Sequence, residues 1–195
     1  GHSLGEWSAL VSAGVVQFVD AVSIVRARGA YMQDAVPVGV GAMAAIIGLD
    51  DEAIRTVCAE AHIYGVVAAV NYNAPGQVVI AGEAKAVEQA MLLCKAAGAK
   101  RTLPLPVSAP FHTSLMKPAA ERLTGLVEST VFIEPKIPVV HNVNGQVEPD
   151  PSLIKNLMIE QIYSPVRWVD CVRTLSERGA ENLIECGPGR VLNGL

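Results

Sequence analysis

The most constraining feature of this sequence is its first six residues, which read GHSLGE and follow the pattern G-x-S-x-G. A serine in that frame occupies a sharp strand-to-helix turn, the nucleophile elbow. Residues 4–13 read as the helix behind it, and its N-terminus would direct free N–H groups at a reacting oxygen, with the Leu4 N–H as the first oxyanion donor. We expect glycine at positions 1 and 5 because a Cβ at either would press against neighbouring backbone. Five residues are weakly specific, so the hypothesis that Ser3 is a nucleophile needs support from the rest of the chain.

Composition narrows the class of protein. The chain has 195 residues, of which 51% are hydrophobic and 17% charged, so it can bury a large core and is not disordered. Its net charge of −4 argues against a general nucleic-acid binder. The sequence has no apolar run of about 18 residues and no signal peptide, so we expect no membrane association.

Cysteine spacing argues against disulfides and zinc. The four cysteines stand far apart and form no C-x-x-C pair, at positions 58, 94, 171 and 186. We interpret them as free thiols in a reducing compartment, and expect a cytoplasmic protein with no metal ion and no cofactor.

Hydrophobic periodicity predicts alternating helices and strands, an α/β layer fold with mostly parallel strands. The predicted helices are 4–13, 21–36, 50–62, 83–97, 114–128, 153–161, 166–178 and 190–195, and the predicted strands are 42–49, 66–72, 77–81, 101–105, 137–142 and 182–186. Residues 37–104 have the order β-α-β-β-α-β, which is typical of a ferredoxin-like unit and which we place as an insert in a larger domain.

Arg28 lies on the apolar face of the second predicted helix, with Ile24 and Met32, whereas Arg26 lies nearly opposite. An arginine within an apolar stripe is costly unless it is paired. It could form a structural salt bridge or extend to solvent, or it could bind a carboxylate or phosphate with its rigid guanidinium fork.

A serine nucleophile needs a base, and four histidines are candidates. His2 is adjacent in sequence and would project elsewhere, and His62 ends a helix, where it can offset the helix dipole. His141 lies near a strand end and stays open as an alternative. His112 follows the loop 108–111 at a loop-to-helix junction, where active-site groups are often mounted, and is the favoured base.

Several motifs in order show that the chain resembles the malonyl-CoA:acyl carrier protein transacylases, the acyltransferases of fatty acid and polyketide synthesis. The likeness covers essentially the whole chain. Its motifs are GHSLGEWSALVSAG, RARGAYMQ, GAMAAIIGLD, NYNAPGQVVIAG, LPLPVSAPFHTSLM, EQIYSPVRW and ECGPGRVLNGL.

The resemblance implies a fold and a set of roles. The fold would be an α/β-hydrolase-like subdomain, residues 1–36 and 105–195, with a ferredoxin-like subdomain at 37–104. Ser3 would be acylated, His112 would act as base and then acid, and Arg28 would bind the malonyl carboxylate. The main-chain carbonyl of Gln161 would orient His112 in place of the missing triad acid.

Further substrate contacts follow from the same resemblance. Asn71 and Asn73 would line the cleft between the subdomains, and Phe111 would help to select the acyl unit. The substrates would be malonyl-CoA and acyl carrier protein, handled by a monomer. The family's N-terminal strand and its glutamine-containing oxyanion loop are not in this sequence, so we expect a longer protein and, in this chain alone, an incomplete oxyanion hole.

Three other functions remain open from the sequence. The chain could be a serine esterase or thioesterase, or the acyltransferase domain of a multidomain synthase. It could also be a non-catalytic docking module for a carrier protein, with a basic surface formed by Lys95, Lys100, Arg101 and Lys117.

Overall fold

The computed structural model describes residues 1–107 and 109–195. Ser108, at the start of the loop that we expect before His112, lies outside the described residues. The helices and strands are α1 (Leu4–Ser12), α2 (Phe18–Asp34), β1 (Gly41–Ile47), α3 (Asp51–Ala61), β2 (Val67–Ala74), β3 (Gln77–Glu83), α4 (Ala84–Ala96), β4 (Arg101–Pro104), α5 (Lys117–Ser129), α6 (Pro151–Glu160) and α7 (Trp168–Glu177).

Side-chain caps fix the start of two helices. Asp50 accepts a hydrogen bond from the backbone N–H of Glu52 before α3, and Asp150 caps α6 in the same way, with Pro151 as its first residue. The expected start of α2 at residue 21 is wrong, because this helix begins at Phe18. Asp20 lies in its first turn, where a carboxylate is favourable to the dipole without capping the helix.

The first of two layers is helical and holds the larger core. Helix α2 packs on α1 and α5, and α5 packs on α6. Their apolar faces enclose fully buried side chains, among them Trp7, Leu10, Ile24, Leu123 and Met158. The C-terminal end of α6 and the N-terminal end of α1 are thereby held in fixed positions.

The second layer is a four-stranded antiparallel sheet in the order β2-β3-β1-β4. Successive side chains of each strand point to opposite faces of the sheet, as the two-residue period of a strand requires. In β1, Ala44 and Ile46 pack with helices α3 and α4, whereas Met43 faces the other way with Val70. Phe111 packs against this second face and also against the helical core, so the two layers meet at the loop before His112.

The expectation of mostly parallel strands is wrong for the described residues. Their one sheet is antiparallel, residues 137–142 contribute only the bridge between Val140 and Val147, and residues 182–186 form no strand. Periodicity detects an extended apolar segment, but a strand also needs a neighbour that accepts its backbone hydrogen bonds. The single parallel bridge joins Asn71 to Val166 and ties β2 to the segment before α7.

We predict that Gly82→Ala destabilises the sheet. A Cβ on Gly82 would lie 1.9 Å from the carbonyl oxygen of Val66, a backbone atom that cannot move aside without breaking strand pairing. We expect a loss of at least about 2 kcal/mol in the free energy of unfolding, measured by urea denaturation. The control is Gly125→Ala in α5, where no described atom outside the neighbouring residues and the backbone of the same helix lies within 4 Å of the added Cβ. It should be neutral or slightly stabilising, and equal losses in both variants would contradict the prediction.

Candidate active site

Ser3 lies on a strained turn directly before α1. Its φ is +49° and its ψ is −108°, an unusual conformation for a residue with a side chain. A Cβ on Gly1 would lie 2.0 Å from the carbonyl oxygen of Gly5, so the turn requires glycine at position 1. The matching expectation for Gly5 is wrong, because apart from its chain neighbours and the backbone of its own helix no described atom lies within 4 Å of a Cβ there. Position 5 instead borders an open groove.

Backbone strain at the site is confined to two residues. Among the described non-glycine residues, Ser3 and His112 alone have a positive φ, and that of His112 is +63°. Such conformations cost about 1–3 kcal/mol each and persist where the surroundings enforce them, commonly at functional sites. The strain therefore singles out the same two residues as the sequence motifs.

His112 is placed to accept the proton of Ser3. Its Nε2 lies 2.8 Å from Ser3 Oγ, and its Nδ1 lies 2.8 Å from the main-chain oxygen of Gln161. A carbonyl oxygen can only accept, so Nδ1 carries the proton and Nε2 offers its lone pair to the serine hydroxyl. The Gln161 carbonyl is free because it caps the C-terminal end of α6, where carbonyls have no intrahelical partner.

The surroundings keep the imidazole neutral. Burial, and to a smaller extent the positive charge of Arg28, lower the pKa of His112 to about 4. His112 is 4% exposed. Above that pH the imidazole is unprotonated and can accept a proton, which is the state needed to activate a serine.

Arg28 lies beside the same hydroxyl. Its Nη2 donates to Ser3 Oγ at 3.1 Å and to the side-chain Oε1 of Gln161 at 3.1 Å. The residue is 7% exposed, and no carboxylate among residues 1–107 and 109–195 lies within 4 Å of its guanidinium. Burial lowers the pKa of Arg28 to about 10, which still leaves it positively charged at neutral pH. A buried, charged guanidinium without a carboxylate partner is suited to bind an anionic ligand.

A cavity of about 360 Å³ adjoins these three side chains. Asn71 and Phe111 line it, together with Met32 and Met43. The Oδ1 of Asn71 is buried and has no hydrogen-bond partner in the described part of the chain. Asn73 lies apart from this lining, and its Oδ1 lies 2.8 Å from the Nε2 of His2.

Leu4 begins α1, and its backbone N–H has no acceptor among the described residues. That free N–H lies immediately after Ser3, as an oxyanion donor requires.

Two polar residues that the sequence did not single out hold the turn. Asn142 accepts a hydrogen bond from Ser3 N at 2.6 Å and donates to Gly1 O at 2.8 Å. Glu6 is 0% exposed and bonds to His141, so the alternative base His141 is engaged with a buried carboxylate. Glu6 shares one face of α1 with Leu10 and Ala13, both buried, so the argument that singled out Arg28 could have found it.

The remaining candidates lie outside the site. His62 is exposed at the end of α3, and Lys95, Lys100, Arg101 and Lys117 are all exposed. Cys58, Cys94 and Cys171 are buried free thiols, and Cys186 is an exposed one. In the described residues, no group of three or more His, Cys, Asp or Glu side chains is arranged to hold a metal ion, and no helix is long and apolar enough to cross a membrane.

Comparison with known proteins identifies the family. The sequence model of the acyl transferase domain family matches residues 1–193 of this chain. The chain belongs to the acyl transferase domain family. The likeness to malonyl-CoA:acyl carrier protein transacylases expected from the motifs is therefore confirmed.

Several members of this family are similar to the chain along its full length. The malonyl-CoA–acyl carrier protein transacylase of Escherichia coli K12 is 55% identical over 195 residues, which are 100% of this chain and 63% of that protein. A solved acyl carrier protein S-malonyltransferase of Vibrio cholerae is 58% identical with a TM-score of 0.98, covering 100% of this chain and 64% of that one. A third is a malonyl-transacylase solved in complex with its type II polyketide synthase acyl carrier protein, 53% identical with a TM-score of 0.98, covering 100% and 63%.

The lowered pKa of His112 can be tested by the pH dependence of acetyl transfer, since an acetyl group carries no carboxylate for Arg28 to bind. The rate of Ser3 acylation should fall as the pH drops through about 4, because protonated His112 cannot accept the serine proton. Arg28→Gln removes a positive charge that lowers this pKa, so the acid limb of the pH profile should move to higher pH. Rates of acetyl transfer to Ser3 across pH measure the shift.

The control for this test is Arg26→Gln on the exposed side of α2, which should leave the limb in place. A limb that does not move in Arg28→Gln, or that moves to lower pH, would contradict the electrostatic account of His112.

Proposed function

We propose that the protein transfers a malonyl group from malonyl-CoA to the phosphopantetheine thiol of acyl carrier protein, in fatty acid or polyketide synthesis. The observation that carries the proposal is the buried guanidinium of Arg28, 3.1 Å from Ser3 Oγ and without a carboxylate partner among the described residues. An acyl group on Ser3 that ends in a carboxylate would provide that partner. The names of the relatives support the same substrates.

The first half-reaction acylates the serine. Ser3 Oγ attacks the thioester carbonyl while His112 Nε2 takes the hydroxyl proton, and the Leu4 N–H stabilises the oxyanion. The carbon–sulfur bond then breaks, and the departing thiolate of CoA takes the proton from His112. A malonyl ester of Ser3 and free CoA remain.

The second half-reaction repeats these steps with the carrier protein. His112 takes the proton of the phosphopantetheine thiol, and the sulfur attacks the ester carbonyl. The carbon–oxygen bond to Ser3 breaks, and the proton returns to the serine oxygen. The two substrates therefore react in turn, as a ping-pong mechanism requires.

We further propose that residues 37–104 form a ferredoxin-like subdomain inserted in an α/β-hydrolase-like catalytic subdomain, residues 1–36 and 105–195. The order β1-α3-β2-β3-α4-β4 and the sheet order β2-β3-β1-β4 support the first assignment. The strained serine turn before α1 supports the second. Asn71 and Phe111 would then contact the acyl group, and Asn73 would hold His2 at the edge of the cleft.

We propose that the enzyme acts as a monomer in the cytoplasm. Ser3, His112 and Arg28 come from one chain, so no second copy is needed to assemble them. The buried free thiols support a reducing compartment.

Removal of the guanidinium should change acyl selectivity. In Arg28→Ala the malonyl carboxylate would lie unpaired in a buried site, which costs on the order of 2–5 kcal/mol. We expect malonyl transfer to fall steeply while acetyl transfer survives or rises, measured as kcat/KM for the two CoA esters. Arg26→Ala is the matched control and should leave both rates unchanged. An equal loss of both transfers in Arg28→Ala would mean that Arg28 is structural.

The covalent intermediate can be observed directly. Intact mass spectrometry of the complete protein mixed with malonyl-CoA should show one malonyl adduct, and Ser3→Ala should show none. Without a thiol acceptor the adduct should persist, because transfer to a thiol rather than to water is the reaction. Rapid hydrolysis of the adduct would indicate an esterase or thioesterase instead.

A further inference from the structure

A buried carboxylate lies behind the reacting groups. Both oxygens of Glu6 are engaged, Oε1 with His141 Nδ1 at 2.7 Å and Oε2 with Asn142 N at 3.2 Å and Gln161 Nε2 at 2.6 Å. None of these contacts belongs to the proton transfer between Ser3 and His112. The carboxylate is 0% exposed, so its position is fixed by these partners alone.

The side chain of Gln161 connects this carboxylate to the guanidinium. Its Nε2 donates to Glu6 and to the main-chain oxygen of Ser3 at 3.0 Å, while its Oε1 accepts from Arg28 Nη2. Only one orientation of the amide satisfies these partners, because a guanidinium can only donate and an ionised carboxylate can only accept. Glu6 and the main-chain oxygen of Ser3 together hold the Nε2 end of the amide, which leaves Oε1 facing Arg28.

The amide also keeps the two charges apart. If Glu6 contacted Arg28 directly, the guanidinium would already be paired and would have less to gain from a ligand carboxylate. With Gln161 between them, Arg28 is held by a neutral acceptor and retains donors for an anion. Its Nε is buried and has no partner in the described part of the chain.

We propose that Glu6 is a positioning residue for carboxylate selection, which acts by fixing the Gln161 amide so that its oxygen holds Arg28 beside Ser3. This inference rests on the proposed function, in which Arg28 binds the carboxylate of the acyl group. The feature that matters is an acceptor oxygen at position 6 facing Gln161 Nε2.

The test compares malonyl with acetyl transfer in variants of the complete protein. Glu6→Met has a similar volume but no acceptor oxygen, so Gln161 Nε2 keeps only the main-chain oxygen of Ser3 as its acceptor and the amide is held less firmly beside Arg28. Hydrogen bonds to charged groups are strong enough that the malonyl-to-acetyl ratio of kcat/KM should fall roughly ten- to hundredfold. Gln161→Met removes the side-chain amide that lies between Glu6 and Arg28 but keeps the main-chain carbonyl that holds His112. It should lower the ratio by the same factor.

A conservative variant separates positioning from loss of charge. Glu6→Gln keeps one acceptor oxygen for Gln161 and turns an N–H₂ group toward His141. The Nε2 of His141 has no partner among the described residues, so the ring can move its proton there and accept through Nδ1. We expect Glu6→Gln to restore the ratio to within about threefold of the parent, since a neutral acceptor oxygen still holds the amide.

A stability control comes from α7. Thr174 is buried and donates from Oγ1 to the Gly145 carbonyl, away from Arg28. Thr174→Val should lower the free energy of unfolding and leave the malonyl-to-acetyl ratio unchanged.

The double variant Glu6→Met, Gln161→Met tests whether the two residues act together. Its malonyl-to-acetyl ratio should be no lower than that of either single variant.

Two kinds of failure can be distinguished. If the parent protein forms no malonyl adduct on Ser3, the proposed function fails and this inference fails with it. If the parent is malonylated but Glu6→Met and Gln161→Met keep its ratio, the inference alone is overturned. It is also overturned if Glu6→Gln is as impaired as Glu6→Met, or if Thr174→Val shifts the ratio equally. If Glu6→Met does not fold, Gln161→Met decides by the same ratio.

Discussion

The hydrogen bonds of Gln161 are the contacts on which the rest of the site depends. Its main-chain oxygen holds the imidazole of His112 in the tautomer that can accept a proton, and its side chain holds Arg28. A second side-chain contact reaches the main-chain oxygen of Ser3. These three groups meet around Gln161 because the C-terminal end of α6 leaves a carbonyl free at the point where α1 begins. The end of one helix thus orients the imidazole, the guanidinium and the serine together.

Burial decides the charge of each group around that helix end. It removes the positive charge from His112, because the pKa of the ring falls to about 4, but it leaves Arg28 charged. The Glu6 carboxylate opposes the effect of burial on Arg28 through its charge, without touching the guanidinium. A neutral imidazole beside a fixed cation is the arrangement that the proposed acyl transfer from an anionic thioester needs, because the cation would bind the substrate while the imidazole stays free to accept a proton. The strained backbone at Ser3 and His112 is the cost of bringing the two side chains within 2.8 Å.

The sequence predicted the local features of this structure better than the long-range ones. The order of helices and strands between residues 37 and 104 is confirmed, because these elements follow simple apolar periods and are joined by short turns. The parallel sheet was wrongly predicted, because residues 137–142 are extended and apolar but their pairing depends on neighbours that periodicity cannot show. In the site, Arg28 was singled out as a charge on an apolar helix face. Glu6 is also a charged residue on an apolar helix face, but it was not singled out from the sequence. An acidic residue in the first turn of a helix is common because it interacts favourably with the helix dipole.

In the proposed function, Arg28 binds the free carboxylate of an acyl group carried by Ser3. A crystal structure of the complete protein trapped with a malonyl group on Ser3 tests it most directly. We expect a carboxylate oxygen within about 2.7–2.9 Å of a guanidinium nitrogen of Arg28, with Gln161 still holding the same side chain. A malonyl carboxylate that points to solvent, with no contact to the Arg28 guanidinium, would contradict this role of Arg28.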